Sequence, residues 1–300
     1  MIGLLCLVIA LYPVFGLGGE EIEESEKIIL RLWNVDTFEG GFGSRASFLG
    51  KAANRFEKKY SLYIMVTPHT KESAERALRS GDIPDMISCG PGVEGVAELA
   101  AEVDGEYGAA WCIGKYCLYS FEDDFDDVSA ENTVVSQYGN SLSAVAARLA
   151  GIRGTLQVES SLTAYVNFLN GKYRYLLGTQ RDLHRFQSKG VAVCVAPLPG
   201  FSDLFQYVSV LCAGTEAEYC RLFVRYLLSE EVQKSLSEIG MYSSVCSVYD
   251  EGAERELEKC RVNKTIPLFV SESAILELRE KALSGVENKI LENFLKRVDS

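Results

Sequence analysis

The residues that most often carry catalysis are scarce in this 300-residue chain. His69 and His184 are the only histidines. Neither belongs to a His-Glu-x-x-His pattern, and no Gly-x-Ser-x-Gly elbow occurs, so activated-serine and zinc-water hydrolysis have no visible parts. His184 follows Asp182 in a helical stretch and reads as a surface or packing residue. Gly41-Phe42-Gly43-Ser44-Arg45-Ala46 matches G-x-G-x-x-A between a strand-like run and a helix, the place of a dinucleotide fingerprint. The supporting acid is missing, because Val66-Thr67-Pro68-His69 closes the next strand without an Asp or Glu for a ribose. The loop is then either a ligand contact through open helix amides or a plain turn. Gly50-Lys51 and Gly171-Lys172 lack the other residues of a P-loop. The acidic run 122–127 lacks the glycine and late glutamate of a calcium loop and reads as solvated. No catalytic residue, metal or cofactor is expected.

Nine cysteines are present. Cys6 lies inside an apolar run, which leaves eight, an even number that suits an oxidising compartment and allows 105 connectivities. Cys112 and Cys117 are close enough to pair locally, whereas cysteines in apolar strand-like runs, such as Cys194, read equally well as buried free thiols. No C-x-x-C occurs and no histidine is spaced to join a zinc set. Acidic residues outnumber basic ones, 42 to 30, for a net charge of −12. Such a field repels a phosphate backbone, so nucleic acid is excluded as a partner.

Among the elements that must hold these residues, 28–33 reads as a strand leading into the glycine loop 40–43. A helix follows, with Phe48 or Leu49, Ala52 or Ala53, and Phe56 at three- and four-residue steps. A strand at 62–66, a helix at 70–79, a strand at 86–88, a helix at 93–103 and a strand at 112–120 continue the alternation of an α/β sheet. The acidic run 122–127 marks a change of segment. Beyond it lie a helix at 162–169, a strand at 173–177, a short helix at 182–186 and a strand at 191–195. Thr215-Glu216-Ala217-Glu218 reads as a capping box, the next helix stops at Gly240, and helices at 272–283 and 286–298 finish the chain. Trp33, Phe38, Trp111, Tyr116 and Phe205 fall near strand ends, where a ring is covered by core or by ligand. Arg45 opposes the dipole of its helix, which calls for an acid such as Glu39 or for a ligand. Met1 to Gly19 is apolar and ends in an acidic spacer. It reads as an export signal cleaved near Gly19, or else an anchor, although no basic residue precedes it.

The stretch Leu30-Arg31-Leu32-Trp33-Asn34-Val35-Asp36-Thr37-Phe38-Glu39-Gly40-Gly41, the helix end Arg55 to Tyr60, and Ser80-Gly81-Asp82-Ile83-Pro84-Asp85-Met86 resemble bacterial extracellular solute-binding proteins, the maltose-binding-protein-like receptors of ABC importers. Phe168 to Lys172, Leu177 to Asp182, Pro197-Leu198-Pro199-Gly200 and Phe223 to Gly240 extend the resemblance over most of the chain. It implies an α/β, two-lobe periplasmic-binding-protein-like fold with hinge strands, a helical C-terminal part and a ligand held between the lobes. The implied divisions are 1–19 (signal or anchor), 20–27 (spacer), 28–110 and 206–245 (first lobe), 111–205 (second lobe), and 246–300 (helices packing mainly on the second lobe). Trp33, Asp36 and Glu39 would face the cleft from the first lobe, with Arg45 toward the ligand. Trp111 and Tyr116 would lie near the hinge, and Gln180 and Arg181 would come from the second lobe. The segment between Tyr116 and Asn170 is shorter than such receptors suggest, so part of the second lobe is expected to be absent. The implied role is a non-enzymatic, monomeric, exported receptor that captures a small solute, a sugar or oligosaccharide, and delivers it to a membrane permease. The competing readings are a secreted or tethered sensory binding protein and an enzyme of undetected class.

Overall fold

The computed structural model describes residues 28–298. The export signal, the acidic spacer and Cys6 lie outside the described residues. Two five-stranded sheets share one plan. The first has the order β2-β1-β3-β11-β4, built from β1 (Ile29–Val35), β2 (Tyr63–His69), β3 (Met86–Cys89), β4 (Ala109–Ile113) and β11 (Phe205–Val210). Strands β1, β2 and β3 run parallel, and β11 is antiparallel to both β3 and β4. The second sheet has the order β7-β6-β8-β5-β9, from β5 (Tyr116–Ser120), β6 (Thr133–Gln137), β7 (Gln157–Ser160), β8 (Tyr175–Thr179) and β9 (Cys194–Pro197). Here β6, β7 and β8 are parallel, and β5 is antiparallel to β8 and β9. A small pair, β10 (Gly200–Phe201) and β12 (Val262–Lys264), lies beside them.

Strand β1 buries both of its faces, as a central strand of a parallel sheet must. Leu30 and Leu32 pack with Phe48, Leu49, Ala52 and Phe56 of α1 (Arg45–Tyr60), while Trp33 and Val35 pack with Ala74 and Leu78 of α2 (Lys71–Arg79). Ser44 and Thr70 cap these helices by accepting from Ser47 N and Ser73 N, each satisfying an amide that the first turn leaves open. In the second lobe α3 (Ser143–Leu149), α4 (Ser161–Leu169) and α5 (Gln180–Ser188) cover the sheet. The chain then returns to the first lobe for α6 (Thr215–Leu227) and α7 (Glu230–Lys234). It closes with α8 (Gly252–Lys259), α9 (Glu272–Leu283) and α10 (Asn288–Val298), and α9 and α10 both pack on α3.

The expected strand at 112–120 is two strands in different sheets, broken at Gly114-Lys115, where the chain crosses between lobes. The crossing is pinned by Ile113 N to Tyr242 O at 2.8 Å and Gly114 N to Leu204 O at 2.7 Å. The change of segment therefore falls at 114–115, not at 122–127, which is a loop inside the second lobe. Its Glu122, Asp124 and Asp127 gather around Arg174 at 2.9, 2.9 and 2.6 Å. No helix forms at 93–103, where Gly92 and Gly95 take positive φ and the chain turns repeatedly. Thr215 does not cap α6, whose N-cap is Gly214 with no side-chain bond. The interval between Tyr116 and Asn170 holds β5, β6, α3, β7 and α4, and the second sheet has five strands, as the first does. Cys112 and Cys117 are buried in separate sheets, and all described cysteines are free thiols.

Candidate functional site

Parallel strands present their carboxyl ends to one edge of a sheet, and the segments leaving those ends form crevices. Here both sheets turn that edge toward a shared cleft of about 360 Å3. The first lobe supplies Asp36, Thr37 and Phe38 after β1 and the His69–Glu72 segment where β2 passes into α2. The second lobe supplies Tyr138 to Ser141 after β6, and Asp203 of the return crossing closes the site. A side chamber of about 140 Å3, lined by Glu39, Arg45 and Arg181, shares Asp36, Phe38 and Tyr138 with the main cleft.

Asp36 is fixed from behind and open in front. Its Oδ1 accepts from Arg45 Nε at 2.8 Å and Asn34 Nδ2 at 2.9 Å, and its side chain is 45% exposed. Arg45 is buried. It donates to Phe38 O and, at 3.3 Å, to Gln206 Oε1, and its guanidinium lies 4.2 Å from the Phe38 ring centroid. Gln206 in turn donates to Val35 O at 3.0 Å and Ser88 Oγ at 3.1 Å, so the loop after β1 is held by a buried polar network. The acid that answers Arg45 is thus Asp36, not Glu39.

Across the cleft mouth Lys71 Nζ meets Glu272 Oε1 at 2.7 Å and Glu75 Oε1 at 3.1 Å, and Glu272 accepts from Asn140 Nδ2 at 2.6 Å. Burial depresses the Lys71 pKa, but these carboxylates outweigh it and the net shift is upward. The His69 ring lies tilted against Trp33, 4.3 Å between centroids, and its pKa is lowered, chiefly by burial. Asp203 accepts from Tyr116 Oη at 2.7 Å and Leu142 N at 2.9 Å, and burial pushes its pKa up to about 6. Thr37 Oγ1 is buried against Gly90 behind the cleft wall without a side-chain partner. Glu39 accepts from Arg181 Nε at 2.9 Å and Arg185 Nη2 at 2.5 Å, joining the lobes at the far end of the side chamber.

Of the residues expected at the site, Asp36, Glu39, Arg45 and Arg181 come together along the cleft and its side chamber. The others do not reach it. Trp111 is fully buried, donating from Nε1 to Ser88 Oγ at 3.0 Å and stacking on Phe48. Trp33 is 3% exposed within the core between β1 and α2. Tyr116 is spent on Asp203. Gln180 is fully buried as a hinge staple, its Oε1 accepting from Lys115 N at 2.8 Å. The glycine loop contacts the protein itself. Phe42 N and Gly43 N donate to Ile239 O at 3.0 and 3.4 Å, and a Cβ at Gly43 would stand 2.5 Å from Ile239 Cγ2. Thr37, Lys71, Tyr138, Asn140, Ser141 and Asp203 were missed. The last four hang on β6 and the return crossing, which the sequence pattern did not resolve. Lys71 could have been found, because it opens a capped helix directly after a strand end.

Among the described residues no cluster of His, Cys, Asp or Glu could hold a metal, and no helix is long and apolar enough to cross a membrane. No family model and no curated protein matches the sequence. Solved structures do match in shape. The sugar-binding protein MalE of Xanthomonas citri is 15% identical over 91% of this chain and 96% of its own, with a TM-score of 0.57. The maltose/maltodextrin-binding domain MalE of Bdellovibrio bacteriovorus, bound to maltotriose, is 12% identical over 90% and 98%, with a TM-score of 0.55. At such identities the likeness speaks for architecture alone. The chain has the two-lobe, maltose-binding-protein-like fold of periplasmic binding proteins.

Proposed function

We propose that the protein is a non-enzymatic receptor that captures a small neutral polyhydroxylated solute, a sugar or short oligosaccharide, between its lobes for delivery to a membrane permease of an ABC importer. The observation that carries this reading is the charge state of the cleft. Every Lys and Arg lining the cleft and its side chamber is paired with a carboxylate: Lys71 with Glu75 and Glu272, Arg45 with Asp36, Arg181 with Glu39. His69 is held toward its neutral form by burial. An anionic solute would find no unspent cation. A hydroxylated one would find the free oxygen of Asp36 and the polar segment Tyr138 to Ser141. The volume suits a ligand of sugar size, since small-molecule sites run from about 300 Å3 upward.

A thermal-shift and calorimetric screen of neutral saccharides and polyols against molybdate and small carboxylates tests this. At 100 times the dissociation constant a one-site ligand adds about 2.7 kcal/mol, and each kcal/mol raises the melting temperature by roughly 2–4 °C. A neutral saccharide should give a rise of several degrees, and the bound compound should be recovered unchanged. Asp36→Asn or Tyr138→Ala should weaken binding by about tenfold or more, the scale of a lost charge-assisted or aromatic contact. Stabilisation by anions alone would refute the ligand class. Stimulation of a reconstituted permease by the loaded protein separates a transport receptor from a sensory one.

A further inference from the structure

A second concavity, of about 460 Å3, lies where α3 meets the junction of α9 and α10 and shares no lining residue with the interlobe cleft. At its base is Arg148, in the last turn of α3 and 4% exposed. Its Nε donates to Ala282 O at 2.7 Å and its Nη1 to Ile152 O at 2.9 Å, while Nη2 is buried with no partner. Among the described residues no carboxylate pairs with this guanidinium. Burial of an ion without a counter-ion is costly, so the position is stabilised by whatever brings a negative charge to it.

Three further features point the same way. Arg153 and Lys289 line the concavity, are exposed, and form no ion pair among the described residues. Glu287 is the one carboxylate on the lining, so the site carries a net positive charge on a chain of net charge −12. The first turn of α10 opens here. Glu287 O takes Ile290 N and Leu291 N, which leaves the amides of Asn288 and Lys289 ahead of the helical ladder, where the dipole favours an anion. Gly285, at φ +77°, lies between the concavity and Arg148. A Cβ there would stand 3.7 Å from Nη2, so the glycine backs directly onto the buried guanidinium.

We propose that this concavity is an oxyanion site that takes a phosphate group, with Arg153, Lys289 and the open amides of α10 as its ligands and Arg148 as the buried counter-charge. The group could belong to a soluble phosphate ester or to a lipid headgroup, since the recognising chemistry is the same. The test is calorimetry of the full chain with inorganic phosphate and glycerol 3-phosphate, and flotation with phosphatidylcholine vesicles with and without phosphatidic acid. Saturable binding in at least one arm is expected. In the exposed double variant Arg153→Ala/Lys289→Ala it should weaken by about tenfold or more, whereas Asp36→Asn in the interlobe cleft should leave it unchanged. Binding in the soluble arm identifies a free phosphate ester, and binding only to phosphatidic acid vesicles identifies a headgroup. Absence of binding in both arms, or binding that the double variant leaves intact, would overturn the proposal.

Discussion

At the scale of single residues, burial decides what a side chain is free to do. Trp33 and Trp111 have the size and the strand-end position of sugar-stacking rings, yet both are closed off in the first lobe. Either truncated to Ala should cost ~3–5 kcal/mol in urea unfolding without any solute, the range for a buried aromatic. Asp203 gives a pH signature. Unfolded aspartate ionises near 3.9, whereas burial lifts Asp203 to about 6 in the folded protein. Between those values the folded state binds the extra proton, so this group's contribution to stability is full at low pH and is lost as pH rises through about 6. Asn cannot titrate. The advantage of the native protein over Asp203→Asn should therefore shrink by ~2–3 kcal/mol between pH 4 and pH 7, measured as unfolding free energy at each pH. A gap that stays constant or widens would contradict the assignment.

At the scale of elements, the end of β11 and the start of α6 are joined by a turn that brings Cys212 and Cys220 together, Sγ to Sγ 3.7 Å apart. The Cys220 thiol lowers the pKa of Cys212 by hydrogen bonding, and Cys212 is the more accessible of the two. It should attack an oxidised glutathione, releasing one reduced glutathione, after which Cys220 displaces the second and closes a disulfide. Intact-mass analysis should show a loss of two mass units in oxidising buffer. The melting temperature should rise by several degrees, since closing a loop this short adds about 2–3 kcal/mol. Cys220→Ser should instead stop at the mixed disulfide. An unchanged native mass under these conditions would mean the turn cannot bring the sulfurs into bonding range.

For the whole molecule, the lobes meet at a charged latch. Glu39 of the first lobe is gripped by Arg181 and Arg185 of α5, and Arg185 is itself held by Asp182 at 2.8 Å. The latch lines the side chamber, so it acts on closure more than on the main cleft. Glu39→Gln keeps the shape and removes the charge. Small-angle scattering should show a larger radius of gyration for the solute-free variant, and solute affinity should fall about 5–30-fold, the effect of losing one to two kcal/mol from the closed state. An unchanged radius would show that the hinge, not the latch, sets the closed population.

The sequence alone determined the alternation of elements, most helices and the class of fold. Three- and four-residue apolar spacing in 48–56 and β-branched runs at strand positions are local signals that burial of one face enforces. The resemblance, not a local signal, named Asp36, Glu39, Arg45 and Arg181 for the site, and these four line the cleft and its side chamber while Trp33, Trp111, Tyr116 and Gln180 are packed away from it. The tertiary structure decided the rest. Where a continuous apolar run such as 112–120 belongs to two sheets, no local signal marks the break, since both halves are equally apolar and only the partners of Gly114 and Lys115 differ. Whether a ring at a strand end faces solvent or core depends on which helix covers it, and Trp33 is covered by α2 some forty residues away in sequence. The cleft wall from Tyr138 to Ser141 was unread for the same reason. Its position is set by the parallel pairing of β6 with β7 and β8, a long-range contact that leaves no periodicity in the turn it delivers to the site.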